Sequence, residues 1–473
     1  MSTSPRRRAL VAGIALLVVA AAGVFWVNRP RSVTIGAVYP TGGGQGPGGV
    51  EEYRGLTLAA ALQNIDGGVH GQTIDLHLKP ADSADGAPAA VQALAAEGAK
   101  VIAGSYGSTI SFPAAQAAYN RGLDFWETGA VGDLGMLATD VPPSYLGANV
   151  FRFPPAGTVL GSSAVDFVAN ELKASLPDRP LRYTVAYVDD AYGSEVGKGA
   201  LDEIAKLGLP LGTRIPYNPG HADFNAIADQ IAAAKTDVLF VASYIDDAVA
   251  MRKAILDRHV PLVTNIGTSS SYCLPAFGAA LGQQAVGLFA SDKPDGDVLK
   301  TSNLTPEATS ALEWARGEYA KRYGGTMTAA ALTGFAGGWA LFHYVLPAAS
   351  SFTPKAIAAA ARSVQLPMGA LPNGSGLAFG APGSASAGEN LRALSVIWEW
   401  TAPNTRSVVW PPSYATSPIL YPKGTPTFLY PKGTPTFLYP KGTPTFLYPK
   451  GTPAFLYPKG TPAFLHLPVP SGA

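Results

Sequence analysis

One cysteine, Cys273, serves a chain of 473 residues, which excludes both an intrachain disulfide and a multi-cysteine metal site. The six histidines (His70, His77, His221, His259, His343 and His466) form neither HExxH nor any paired ligand spacing, so no metal site follows. No GxSxG occurs, and Cys273 stands between Tyr272 and Leu274 without a local catalytic signature, which reads as a structural thiol. Enzyme chemistry has no visible carrier. Acids are missing from both ends of the chain: residues 1–32 carry five Arg, residues 421–473 carry five Lys, and neither stretch has an Asp or Glu. The formal charge of +1 therefore hides a middle of 24 basic against 33 acidic residues, or −9, a poor nucleic-acid binder.

Two phosphate-loop look-alikes fail on their surroundings. Gly44 to Gly49 satisfies GxGxxG after a strand and before a helix, but the loop is long, contains Pro47, and the second strand ends in Leu78-Lys79-Pro80 instead of an acid. GSEVGKG at 193–199 is one residue short and ends in Gly where Ser or Thr is required. No cofactor is expected.

What the chain does have is apolar length, 47% of its residues, enough for a large core and at least two domains. Arg6 to Arg8 precede nineteen uncharged residues, 9–27, followed by Arg29 and Arg31. That pattern predicts a membrane-spanning signal anchor with everything beyond it outside the cytoplasm; the alternative is a cleaved signal peptide. No cysteine follows the apolar run to take a lipid anchor of the bacterial lipoprotein type. At the other end YPKGTPTFL recurs five times in near-identical copies from Tyr421; two Pro and one Gly per nine residues predict a disordered, extended tail.

Between the ends, strands and helices alternate. Strands are expected at 33–39, 73–78, 101–103 and 123–127, with helices at 51–65 and 86–98 between them; a second α/β series runs from 183 to 290. Helices follow at 310–323, 328–348 and 354–364, and a late strand at 392–400. Two series of about 120 residues predict two domains of similar kind, with a ligand between them as the default. The organising stretch is VIAGSYGSTISFPA, 101–114. It passes from strand through a Gly/Ser loop into a helix, and so offers backbone N–H groups and the hydroxyls of Ser108 and Thr109 at a strand's carboxyl end.

Residues 33–412 resemble the branched-chain amino-acid-binding (leucine/isoleucine/valine) family of ABC-transporter solute-binding proteins. The matching pieces are VTIGAVYPTGG, NIDGGVHGQTIDLHLKPADSAD, VIAGSYGSTISFPAAQAAYNRGLDFWETGA, VFRFPP, YVDDAYGSEVGKGALDEI, HADFNAIADQIAAAKTDVLFVASY and VIWEWTAPNTRSVVWPP, in family order and spacing. The resemblance implies an α/β type I periplasmic-binding fold: two Rossmann-like lobes joined by a three-crossover hinge. Lobe 1 would take 33–153 and 291–370, and lobe 2 would take 154–290 and 371–412. Residues 1–32 would form the anchor or signal peptide and 413–473 the repeat tail.

The resemblance also implies a site in the interlobe cleft. Ser108, Thr109, Gly129, Ala130 and Val131 match positions that hold a ligand carboxylate. Tyr192 and Tyr244 match aromatic positions on the opposite lobe, Gln45 lies in the mouth loop, and Asp190 is nearby. It implies a small amino-acid, amide or organic-acid ligand, an ABC permease as partner and a non-enzymatic role. A membrane-tethered sensing ectodomain of the same fold is the alternative. One departure stands out: the family's amino-acid binders place an acid for the ligand ammonium where this chain reads TNIGTSSS, 264–271. A buried, unpaired ammonium is costly, so either an aspartate (Asp190, Asp246 or Asp247) substitutes or the ligand carries no amine. Capping and turn roles compete for those aspartates.

Overall fold

The computed structural model describes residues 31–135, 143–296 and 298–420. The expected anchor and the nonapeptide repeats lie outside the described residues. Among these, the chain forms two compact units. Unit 1 comprises 31–157, Asp190–Glu195 and Lys293–Ser395; unit 2 comprises Thr158–Asp189, Val196–Asp292 and 396–420.

Unit 1 is built on five parallel strands, β1 (Ser32–Val38), β2 (Thr73–Leu78), β3 (Val101–Gly104), β4 (Asp124–Glu127) and β5 (Val150–Arg152), in the order β2-β1-β3-β4-β5. Its helices are α1 (Gly46–Ile65), α2 (Ala87–Ala96) and α3 (Ser108–Asn120). Because strand order reverses after β2, right-handed crossovers place α1 on one face and α2 and α3 on the other. On the α2/α3 face, Val91, Leu94, Ile102, Ile110 and Phe125 make an apolar core; fully burying each such side chain contributes roughly 1.5–3 kcal/mol.

Unit 2 opens on α4 (Gly157–Asp166). It continues with β6 (Tyr183–Val188), α5 (Ala191–Lys206), β7 (Leu211–Tyr217), α6 (Phe224–Ala233), β8 (Val238–Ala242), α7 (Ile245–Asp257), β9 (Thr264–Thr268), α8 (Pro275–Leu281) and β10 (Phe289–Asp292). Two late strands, β11 (Val396–Ala402) and β12 (Thr405–Trp410), add antiparallel to give β12-β11-β10-β9-β8-β6-β7. Strands β7 and β12, the two edges, were not foreseen from the sequence. Each mixes polar and exposed positions, as an edge does, instead of an unbroken apolar run.

Three helices return to unit 1: α9 (Pro306–Tyr323), α10 (Ala329–Trp339, extended to Ala348) and α11 (Pro354–Ser363). Among the described residues, Ala329–Ala348 is the one helix long and apolar enough to cross a membrane, but 83% of its most apolar window is buried. It is a core helix that crosses α1 at glycine: a Cβ on Gly55 would come within 2.6 Å of Phe335 N. Residues 371–395, expected in the second lobe, belong to unit 1. Phe379 sits edge-on to Trp126 and Phe151 with ring centroids 5.3 and 5.0 Å away. Arg152 N donates to Gly388 O at 2.8 Å, and Asn390 Nδ2 to Phe153 O at 3.2 Å. Aromatic burial and paired backbone hold the segment where sequence spacing alone could not place it.

Candidate functional site

In unit 1 strand order reverses between β1 and β3, where open α/β sheets leave a crevice at the strands' carboxyl ends. Gln45 follows β1 and stands at the N-cap of α1; Ser108 and Thr109 follow β3 and begin α3. Gln45 Nε2 donates to Thr109 Oγ1 at 3.3 Å, and Gly132 N donates to Ser108 Oγ at 3.0 Å. The last bond ties the β3 exit to the loop leaving β4, so Gln45, Ser108, Thr109 and residues 129–131 share one edge. Ser108 is buried; Thr109 and Gln45 are half-buried.

A carboxylate lies beneath these hydroxyls. Glu127 closes β4, is fully buried, and accepts from Ser105 N (2.8 Å to Oε1, 3.0 Å to Oε2), Gly129 N (2.8 Å), Ala130 N (2.7 Å) and the Ser111 hydroxyl. At 129–130, expected from the resemblance to hold a ligand carboxylate, the Gly129 and Ala130 backbone N–H groups donate to the chain's own acid. Burial pushes the Glu127 carboxyl up, against the opposing hydrogen bonds of Ser111, Gly129 and Ala130 and the Arg152 charge.

A second acid packs beside the first. Glu52, fully buried on α1, accepts from Thr128 Oγ1 at 2.6 Å, and Thr128 Oγ1 pairs with Tyr39 Oη at 2.6 Å. A Cβ at Gly129 would fall on the Glu52 carboxylate, which is why the loop carries glycine there. Burial first, and the Glu127 charge second, push Glu52 up to about 8, against the pull of Lys293. Cations fasten the same loop from its carbonyl side. Lys293 Nζ donates to Gly129 O at 2.9 Å, Arg152 Nη1 to Val131 O at 2.7 Å and Arg152 Nη2 to Gly132 O, while Arg152 Nε lies 3.5 Å from Glu389. Charge balanced in this way lets buried acids and bases coexist under a neutral, hydroxyl-lined surface.

Sequence reading did not find Glu52, Glu127, Arg152 or Lys293. The available signal was an acid ending the otherwise apolar strand DFWE and a glutamate on the inward side of α1.

The other named residues fall differently. Tyr192 is buried and belongs to 190–195, which packs with unit 1 and not with the rest of the second series; Asp133 N donates to Ala191 O at 3.1 Å. Asp190 Oδ1 accepts from Tyr192 N and Gly193 N, both at 2.9 Å, which is a turn-and-cap role. Tyr244 is in unit 2, half-buried at the N-cap of α7, just after β8. There the second sheet reverses order between β6 and β8, so Tyr244 holds in unit 2 the topological place that Ser108 holds in unit 1. Asp246 and Asp247 sit in the first turn of α7.

Within 264–271, Asn265, Thr268 and Ser271 spend their side chains on the fold. Thr268 Oγ1 donates to Ser291 O at 2.8 Å, Ser271 Oγ to Thr268 O at 3.3 Å, and Asn265 Nδ2 to Leu239 O at 3.0 Å. Among the described residues no group of three or more His, Cys, Asp or Glu could hold a metal ion.

Comparison with known proteins converges on one family. The family model for periplasmic binding protein matches residues 32–387. The Leu/Ile/Val-binding protein homolog 8 of Brucella abortus is 26% identical over 390 residues, 82% of this chain and 92% of that protein. A leucine-binding protein of Thermotoga maritima superposes with a TM-score of 0.65 at 17% identity, over 80% of this chain and 97% of its own. A fatty-acid ABC-transporter substrate-binding protein of Thermomonospora curvata gives 0.59 at 17% identity, over 80% and 91%. The last two share the fold while their names give different ligands. Reversed sheets, strand-end loops and a family match across most of the described chain agree: the chain belongs to the periplasmic binding protein family.

Proposed function

We propose that the chain is the extracytoplasmic solute-binding component of an ABC importer and captures a small amino-acid-like or carboxylate ligand. The observation that carries this reading, beside the family, is the neutral donor cluster of Ser108, Thr109 and Gln45 at the strand reversal of unit 1. Hydroxyl and amide donors of that kind suit a carboxylate or an amide. Tyr244 would supply an aromatic face for the ligand's side chain. Closure of two lobes on a ligand, delivery to a permease, and tethering by residues 9–27 complete the proposal.

A thermal-shift screen of the full chain tests it. The panel is leucine, isoleucine and phenylalanine with their amides, and short aliphatic and benzoate-like acids. A ligand at one hundred times its Kd adds about 2.7 kcal/mol, which a melting curve resolves. Absence of any shift across the panel removes this ligand class. Stimulation of a partner permease's ATPase by the loaded protein separates import from the alternative role, a tethered sensor ectodomain.

A further inference from the structure

We infer that Glu127 is a positioning residue: it is the resident anion of the loop pair that carries the candidate site, tying 105–111 to 128–130 and occupying the backbone donors a ligand carboxylate would otherwise use. Its hydrogen bonds reach in two directions. Ser105 N and Ser111 Oγ come from the β3 exit and the first turn of α3, on either side of Ser108 and Thr109; Gly129 N and Ala130 N come from the β4 exit. With no solvent exposure, the carboxylate cannot exchange these partners for water.

The donors are those of an anion-binding nest, in which successive N–H groups converge on a negative charge, here a side chain's own. Two consequences follow. A ligand acid at this edge meets the Ser108 and Thr109 hydroxyls instead of the 129–130 amides. It also meets them above Glu127, whose charge offsets those of Arg152 and Lys293 on the same loop and so withholds them from a ligand acid.

The first consequence stands without any ligand; the second rests on the proposed solute-binding role. Hydrogen–deuterium exchange of the ligand-free full chain tests the first. Glu127→Ala is expected to speed exchange in peptides covering 101–111 and 127–133 at least tenfold. Glu127→Gln keeps an acceptor for Gly129 and Ala130, so it should stay within threefold of the parent and remain available if the alanine variant does not fold. Equal protection in parent and alanine variant, or loss of protection in the glutamine variant as large as in alanine, overturns the assignment.

Calorimetric titration with the matched pair leucine and leucinamide, and with isocaproate and isocaproamide, tests the second. Glu127→Gln is expected to shift the acid-to-amide affinity ratio at least threefold toward the acid, a change that lost rigidity alone would not produce. An unchanged ratio overturns the specificity role. If none of the four compounds binds the parent while the exchange result holds, the proposed ligand class fails and the positioning role stands.

Discussion

The two units contain the same parallel core, with strand order 2-1-3-4-5 counted within each, yet they equip their points of reversal in opposite ways. Unit 1 sets hydroxyls over a buried store of charge: Glu52, Glu127, Arg152 and Lys293, all nearly or fully excluded from solvent. Unit 2 sets Tyr244 at its reversal, and its stretch 264–271 is uncharged, with Asn265, Thr268 and Ser271 bonded to backbone carbonyls. Topology thus fixes where a site can be built and leaves its chemistry open. Unit 2 also buries charge, in Arg252, Asp292 and Glu399, but in unit 1 the buried acids and bases are interlocked with the loop at the reversal by hydrogen bonds that make such burial tolerable.

The largest expected effect addresses what the units share. Gly55→Ala places a Cβ 2.6 Å from Phe335 N where α1 crosses α10, and Gly161→Ala places one 2.6 Å from Ala200 N where α4 meets α5. Backbone cannot yield as a side chain can, so each change should cost about 3 kcal/mol and lower the midpoint by roughly 6–12 °C. Scanning calorimetry reads both, and a shift under about 2 °C in either variant would separate the units' packing rules.

Next in size is the hydroxyl edge of unit 1. Ser108→Ala combined with Thr109→Ala should weaken binding of any carboxylate or amide found in the screen at least tenfold, or about 1.4 kcal/mol, while the circular dichroism spectrum is retained. Unchanged affinity would move the site away from this edge.

The charge store predicts a pH dependence. Folding holds a proton on Glu52, whose pKa of about 8 lies above the ordinary carboxyl value of 4.5. Its contribution to stability is full below the unfolded value and is lost as pH rises through 8. Asp124, pushed up to about 8 by burial, has the same sign. Urea midpoints should therefore fall between pH 6 and pH 8.5, and Glu52→Gln should flatten that fall without abolishing it. A parent chain equally stable at both values would mean these acids are solvated.

The smallest expected effect belongs to unit 2. Tyr244→Ala removes an aromatic face at a half-buried cap and should weaken ligand binding about three- to tenfold with little change in midpoint. A loss exceeding that of the Ser108/Thr109 pair would reverse the ranking of the two reversal points.

Much of the architecture could be read before folding is considered. Residues 73–78 show as a strand because polar and apolar side chains alternate, 183–188 because a buried parallel strand is a β-prone run, and 354–363 as a helix because Ile357, Ala358 and Ala361 recur on one face. Edge strands β7 and β12 escaped because half their residues meet water. The candidate site was legible as a loop and two hydroxyls, and its floor was not. A glutamate in DFWE carries no mark of being buried until Ser105, Ser111, Gly129 and Ala130 surround it.

The sequence by itself determined the order of elements, the family pattern, the absence of a cysteine framework and the missing acid in 264–271, because each is written in neighbouring residues or in composition. Tertiary structure alone decided that Glu127 fills the 129–130 amides, that 190–195 and 371–395 pack with unit 1, and that Lys293 fastens Gly129. The reason is separation along the chain: Glu127 meets Ser105 across 22 positions, Glu52 meets Thr128 across 76, and Lys293 meets Gly129 across 164. Local periodicity carries no information over such distances; the burial of a charge is decided by whatever the fold brings to it.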